Sequence, residues 1–102
     1  MIHMVSAEAI PEPAKERLAA QVLQRLGFRI ISTDGTIYLE GEKSLFEETF
    51  AIQLEELSKH LLPGISKGAV RTYWRKKGEL TIPRELEGLV RDVVFPEPPE
   101  FF

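Results

Sequence analysis

Apolar residues recur along this chain with two different spacings. Between Pro11 and Gly27, Ala14, Leu18, Val22 and Leu26 return every fourth residue with Ala19 and Leu23 beside them, and charged or amide side chains fill the other positions. That period predicts an amphipathic helix over about 12–26. Pro11 and Pro13 suit its first turn, and Gly27 suits a left-handed C-terminal cap. The spacing then drops to two. β-rich runs at 28–32 and 36–40 flank Thr33-Asp34-Gly35, and Asp-Gly between such runs predicts a hairpin. Asp34 is read there as turn geometry and not as an acid or a metal ligand.

Ser44 and Glu47 stand in capping-box relation, which predicts a short helix through Phe50 with Leu45, Phe46, Thr49 and Phe50 on its apolar side. Residues 51–57 alternate as a strand, with helix continuing to about Lys59 as the alternative. Proline and glycine mark 61–68 as a loop. Residues 69–75 read as a strand, Lys76-Lys77-Gly78 as a turn and 79–82 as a second strand. Pro83 opens a last helix on which Leu86, Leu89, Val90 and Val93 make one stripe. Three prolines in Pro96-Glu97-Pro98-Pro99-Glu100-Phe101-Phe102 favour extended backbone over helix. The order describes one α+β domain over 1–95 with a Pro-rich tail at 96–102, its helices on one face of an antiparallel sheet. The split β-α-β, ferredoxin-like arrangement is the nearest common form. Its expected core is Leu18, Val22, Leu26, Phe28, Ile30, Ile37, Leu39, Phe46, Phe50, Ile52, Leu54, Ile82, Leu86, Val90 and Val93.

A chain of 102 residues with 43% hydrophobic content carries one core. Zero cysteines remove disulfides and thiolate chemistry. The two histidines are His3, in an N-terminus expected to be loose, and His60, on which any histidine metal site or Ser-His-Asp triad would have to rest. No phosphate loop or hydrolase motif is present, and the pairs Glu47-Glu48 and Glu55-Glu56 are adjacent and so do not face each other across a site. Neither catalysis nor a cofactor is expected. Lacking a membrane-length apolar run and a signal-peptide pattern, the chain reads as a soluble cytoplasmic protein unless it is excised from a secreted precursor.

The net charge of −3 hides an asymmetry. Residues 1–58 hold 5 basic and 10 acidic side chains, residues 59–91 hold 8 and 3, and residues 92–102 hold 0 and 3. Such polarity suggests an oriented partner, although lysines on solvated strand edges produce it too. Tyr73-Trp74-Arg75-Lys76-Lys77 interleaves aromatics with cations, as nucleic-acid surfaces do, while on a strand Tyr73 and Trp74 point to opposite faces. The tail offers a second handle: extended backbone is cheap to immobilise, and Phe101 and Phe102 could each contribute about 1.5 to 3 kcal/mol if buried against a partner. The candidate partner-binding residues are therefore Tyr73, Trp74, Arg75, Pro96, Pro98, Pro99, Phe101 and Phe102.

Residues 28–39, then Gly41 followed by Phe50, Ile52 and Leu54, then Tyr73-Trp74-Arg75, Gly78-Glu79-Leu80-Thr81-Ile82-Pro83 and Leu86, Val90 and Val93 occur in a recognisable succession. It resembles the activation prosegment of kumamolisin-type (sedolisin) serine-carboxyl peptidases. Residues 2–5 would then supply a meagre first strand, and Phe95-Pro96-Glu97 replaces the usual Gly-Leu-Asp after the last helix. The resemblance implies a ferredoxin-like domain that packs on a protease, assists its folding and blocks its cleft. Here it would be free-standing, acting in trans as inhibitor, chaperone or adaptor. A shorter stretch, Lys77-Gly78-Glu79-Leu80-Thr81-Ile82-Pro83-Arg84-Glu85-Leu86, is similar to swapped-hairpin transcriptional regulators and antitoxins. That alternative implies DNA binding through Arg71, Arg75, Lys76, Lys77 and Arg84.

Overall fold

Eight residues near the N-terminus, Met4–Pro11, form a strand, β1, at the middle of the main sheet. The structure is a computed structural model, and it describes residues 3–60 and 70–97. From Met4 on the N-terminus is not loose, and the strand continues past the expected 2–5 to Pro11. Val5, Ala7 and Ala9 are buried while Met4 and Ser6 are exposed, so the segment alternates with period two. Its inward side chains are mostly alanines, whose weak strand preference and low hydrophobicity hide the pattern.

A turn closed by Lys15 N–H donating to the Glu12 carbonyl, with Ala14 at φ 66°, leads into α1 (Glu16–Arg25). The helix is shorter than 12–26 because β1 runs through Pro11. Its buried residues are Ala19 and Leu23, flanked by half-buried Val22 and Leu26, whereas Leu18, expected in the core, is 47% exposed. Ala19 faces the sheet and permits close approach, which turns Leu18 to the shoulder. Gly27 takes up the left-handed position at φ 113°.

The hairpin follows as expected: β2 (Arg29–Asp34) and β3 (Thr36–Glu42) pair antiparallel about Gly35. The register shifts between Ile30 and Ser32, so Ile31 is an extra residue and stands exposed. β3 pairs with β1 on its other side. The helix α2 (Lys43–Phe50) buries Phe46 and Phe50, but the capping box does not form. Glu42 takes the N-cap position without a side-chain bond, and a Glu47 carboxylate oxygen instead accepts from the Leu54 N–H at 2.9 Å. Ala51, left-handed at φ 54°, ends the helix.

β4 (Gln53–His60) and β5 (Val70–Lys77) form a separate antiparallel pair, so the helix alternative at 51–59 is set aside. The expected loop at 61–68 lies outside the described residues. Two further expectations are corrected. Residues 79–82 are no strand; Thr81 N–H donates to the Phe50 carbonyl at 2.8 Å, which pins this stretch to the end of α2 and lets half-buried Leu80 and Ile82 pack on the core. The last helix is a 3-10 turn, Arg84–Leu86, followed by a strand, β6 (Val90–Val94). Gly88 at φ 76° breaks the helix, and β-branched valines favour the strand. Pro11 pairs with Val90 and Ile10 with Asp92, leaving Arg91 extra. That bulge is why Val90 and Val93, three apart, both point inward.

The architecture is α+β: a four-stranded antiparallel sheet in the order β2-β3-β1-β6, a two-stranded sheet β4-β5, and two α-helices. The buried residues of β1, β3 and β6 share one cluster with those of α1 and α2, so both helices cover the same face. No helix among the described residues is long and apolar enough to cross a membrane.

Truncating Leu23 to Ala should cost roughly 2 to 5 kcal/mol in urea titrations, and truncating Leu18 less than about 0.5. Glu47→Ala, which strands the Leu54 N–H, should cost about 1 to 3 kcal/mol, with most of it recovered in Glu47→Gln because the amide oxygen still accepts.

Candidate functional site

β5 reads Val-Arg-Thr-Tyr-Trp-Arg-Lys-Lys, and its register with β4 decides where each side chain goes. Leu57 lies opposite Tyr73, Glu55 opposite Arg75 and Gln53 opposite Lys77. These pairs share one face of the ribbon, since directly opposed residues point the same way. The other face carries Leu54 opposite Lys76 and Glu56 opposite Trp74. Leu54 is buried and Trp74 packs against the core, so the ribbon lies on the domain by this face.

Trp74 is held on two further sides. The His3 ring meets it edge-on with centroids 5.6 Å apart, and the Lys43 ammonium lies 5.7 Å from the centroid of the indole ring system. Cations and ring edges are both attracted to the electron-rich region of an aromatic ring. Lys43 is also 3.9 Å from Glu47, and Lys77 is 3.7 Å from Glu55. What ties the ribbon to α2 is the Lys43 ammonium over Trp74 and the Glu47 carboxylate accepting from the Leu54 N–H.

Between β5 and β6 runs an open groove of about 320 Å³. Residues 73–76 form one wall, and residues 92–95 with Glu97 form the other. Phe95 leaves β6 with its ring against Phe46, centroids 5.4 Å apart, so the groove is anchored in the core. The structure therefore brings Tyr73, Trp74 and Arg75 to one place and sets the start of the tail beside them. Pro96 is exposed next to Phe95. Pro98, Pro99, Phe101 and Phe102 lie outside the described residues. Sequence reasoning misses the opposite wall, since the pattern over 92–95 reads as the end of a helix.

A second surface was not singled out from sequence. The sheet face opposite the helices carries Tyr38, Glu8 and Val94 in one row, because Glu8 pairs with Tyr38 on β3 and with Val94 on β6. Met4, Tyr38 and Val94 are 54%, 42% and 40% exposed. Arg29 and Glu40, opposed on β2 and β3, join in an ion pair at 3.2 Å on this face. Among the described residues, no group of three or more His, Cys, Asp or Glu is placed to hold a metal ion.

Trp74→Ala should loosen the β4-β5 ribbon selectively. Amides of residues 54–58 are expected to exchange roughly tenfold faster or more, with those of β1 and β3 unchanged, in hydrogen-exchange mass spectrometry. Comparison of the chain with protein-family models, curated proteins and solved structures gave no match.

Proposed function

We propose that this chain is a non-catalytic protein-binding module of the protease-prosegment kind, acting on a partner protein as inhibitor, folding chaperone or adaptor. The observation that carries the reading is the sheet face that stays bare among the described residues. Three strands, β1, β3 and β6, expose Met4, Tyr38 and Val94 there, with both helices on the other side. Methionine and aromatic residues are enriched where protein surfaces meet, and a sheet gives them a rigid platform.

The strand order supports the finer reading of the fold as ferredoxin-like. With β4-β5 regarded as an insertion between α2 and β6, the chain runs strand, helix, strand, strand, helix, strand, and the last strand lies beside the first. That is the arrangement the prosegment resemblance implies. A domain of this form would set its bare face on the protease and leave the tail beyond β6 near the cleft.

Adding the chain to a purified sedolisin-type serine-carboxyl peptidase should inhibit it saturably, and adding it to the acid-denatured peptidase should raise the recovered activity. Tyr38→Glu with Met4→Glu should weaken the inhibition by about a hundredfold while the thermal midpoint stays put, because a charge desolvated in an interface costs several kcal/mol. Neither inhibition nor assisted refolding from the unaltered chain would remove the reading.

A further inference from the structure

We propose that the bare sheet face docks on a protein surface that presents an arginine or lysine between apolar side chains, and that Glu8 receives that cation. The inference rests on the docking reading above and names the chemistry of its partner. Glu8 lies in mid-face, opposite Tyr38 on β3 and Val94 on β6, with Ser6 and Ile10 beside it along β1. Its side chain is half-buried and makes neither an ion pair nor a hydrogen bond among the described residues. Water solvates this carboxylate while the face is open. A partner that covers Tyr38 and Val94 covers Glu8 as well, since neighbouring strands are only about 4.8 Å apart. A carboxylate shut away from water without a counter-charge costs more than the apolar contacts on either side return. A wholly apolar partner is thereby disfavoured and one with a cation at this point selected.

The described residues of the face supply no cation to spare. The strand registers place Asp34, Glu40, Glu42 and Asp92 there with Glu8, against Arg29 alone. That excess is larger than the chain's net charge of −3, so the acidic surplus of the whole sequence is concentrated on this side of the sheet. Arg29 is engaged with Glu40 at 3.2 Å and stands on β2, with β3 between it and β1. Arg91, the extra residue beside Asp92, is matched by Glu12, also at 3.2 Å. Glu40 and Asp92 occupy positions diagonal to Glu8, a separation of about 7–8 Å that is comparable to the Debye length at physiological salt. Both add to the negative potential at Glu8, which attracts a cationic side chain and repels phosphate. A protein fits this face and a nucleic acid does not.

Amide chemical shifts of the isotope-labelled full chain locate the contact residue by residue. Titration with acetyl-Leu-Arg-Leu-Arg-Leu-amide should move the amides of Glu8, Tyr38 and Val94 saturably and leave those of α1 in place. The peptide with Glu in place of Arg should move none of them. Glu8→Gln, which keeps the shape and strands no donor, should weaken binding about tenfold, and Glu8→Arg about a hundredfold. Glu87→Gln removes an exposed carboxylate elsewhere and should leave binding unchanged. Thermal midpoints show that each variant is folded. Equal response to the acidic peptide, equal weakening by Glu87→Gln, or stationary amides on the sheet face overturns the proposal. In the peptidase assay, inhibition that survives Glu8→Arg overturns the inference and leaves the prosegment reading standing. Absence of inhibition, with the arginine peptide bound at Glu8, removes that reading and leaves the inference. Concentration-dependent dimerisation abolished by Glu8→Arg would assign the face to a second copy, and duplex DNA that moves the same amides would assign it to nucleic acid; either result displaces the partner protein.

Discussion

Phe46 stands at the centre of four phenylalanine rings, with the centroids of Phe28, Phe95 and Phe50 at 4.7, 5.4 and 6.3 Å. Rings of that size fit between a sheet and its helices only where the facing positions are small, because protein interiors are packed without spare volume. Here the sheet offers Ala7, Ala9 and Gly41, and α1 offers Ala19. A Cβ on Gly41 would come within 2.9 Å of the Phe28 ring. This matching of large to small fixes more than the core. Phe28 follows α1, Phe46 and Phe50 belong to α2, and Phe95 follows β6, so one cluster sets where each connection returns to the sheet.

The same matching explains which elements could be read from the chain. α1, the β2-β3 hairpin, β4 and β5 are legible because their apolar periods match their structure. β1 is not, since the small residues that make room for the rings are also those that give a strand little hydrophobic contrast. β6 is disguised by its bulge: an extra residue at Arg91 converts a period of two into a spacing of three between Val90 and Val93, and that spacing mimics a helix. Glu47 shows a third kind of failure. Its position relative to Ser44 fits a helix cap, but the Leu54 N–H, seven residues on, is the donor it serves. Local pattern cannot anticipate a partner supplied by the next element. For the site, the aromatic and basic run at 73–77 was legible, and its opposite wall was lost with β6.

Charge asymmetry along the sequence becomes complementarity in space. The antiparallel register lays Glu55 and Glu56 of β4 against Arg75 and Trp74 of β5, with Lys77 reaching Glu55. Part of the basic excess in 59–91 is consumed within the ribbon by the Lys77–Glu55 ion pair, which contributes a few tenths of a kcal/mol to about 1 kcal/mol. What is left over is local. Arg75 and Lys76 carry it to one wall of the groove, with Asp92 and Glu97 on the other.

The two surfaces meet at Val94. Its side chain stands in the row with Tyr38 and Glu8 on the bare sheet face, and the residue also lines the groove between β5 and β6. Phe95, next along, ties that groove wall to the central ring of the core, while Trp74 ties the other wall to His3 and Lys43. Both walls are therefore fixed before anything binds, and a surface that need not be ordered on binding keeps more of its contact energy as affinity. A partner seated on the sheet face would cover Val94 and so reach the rim of the groove.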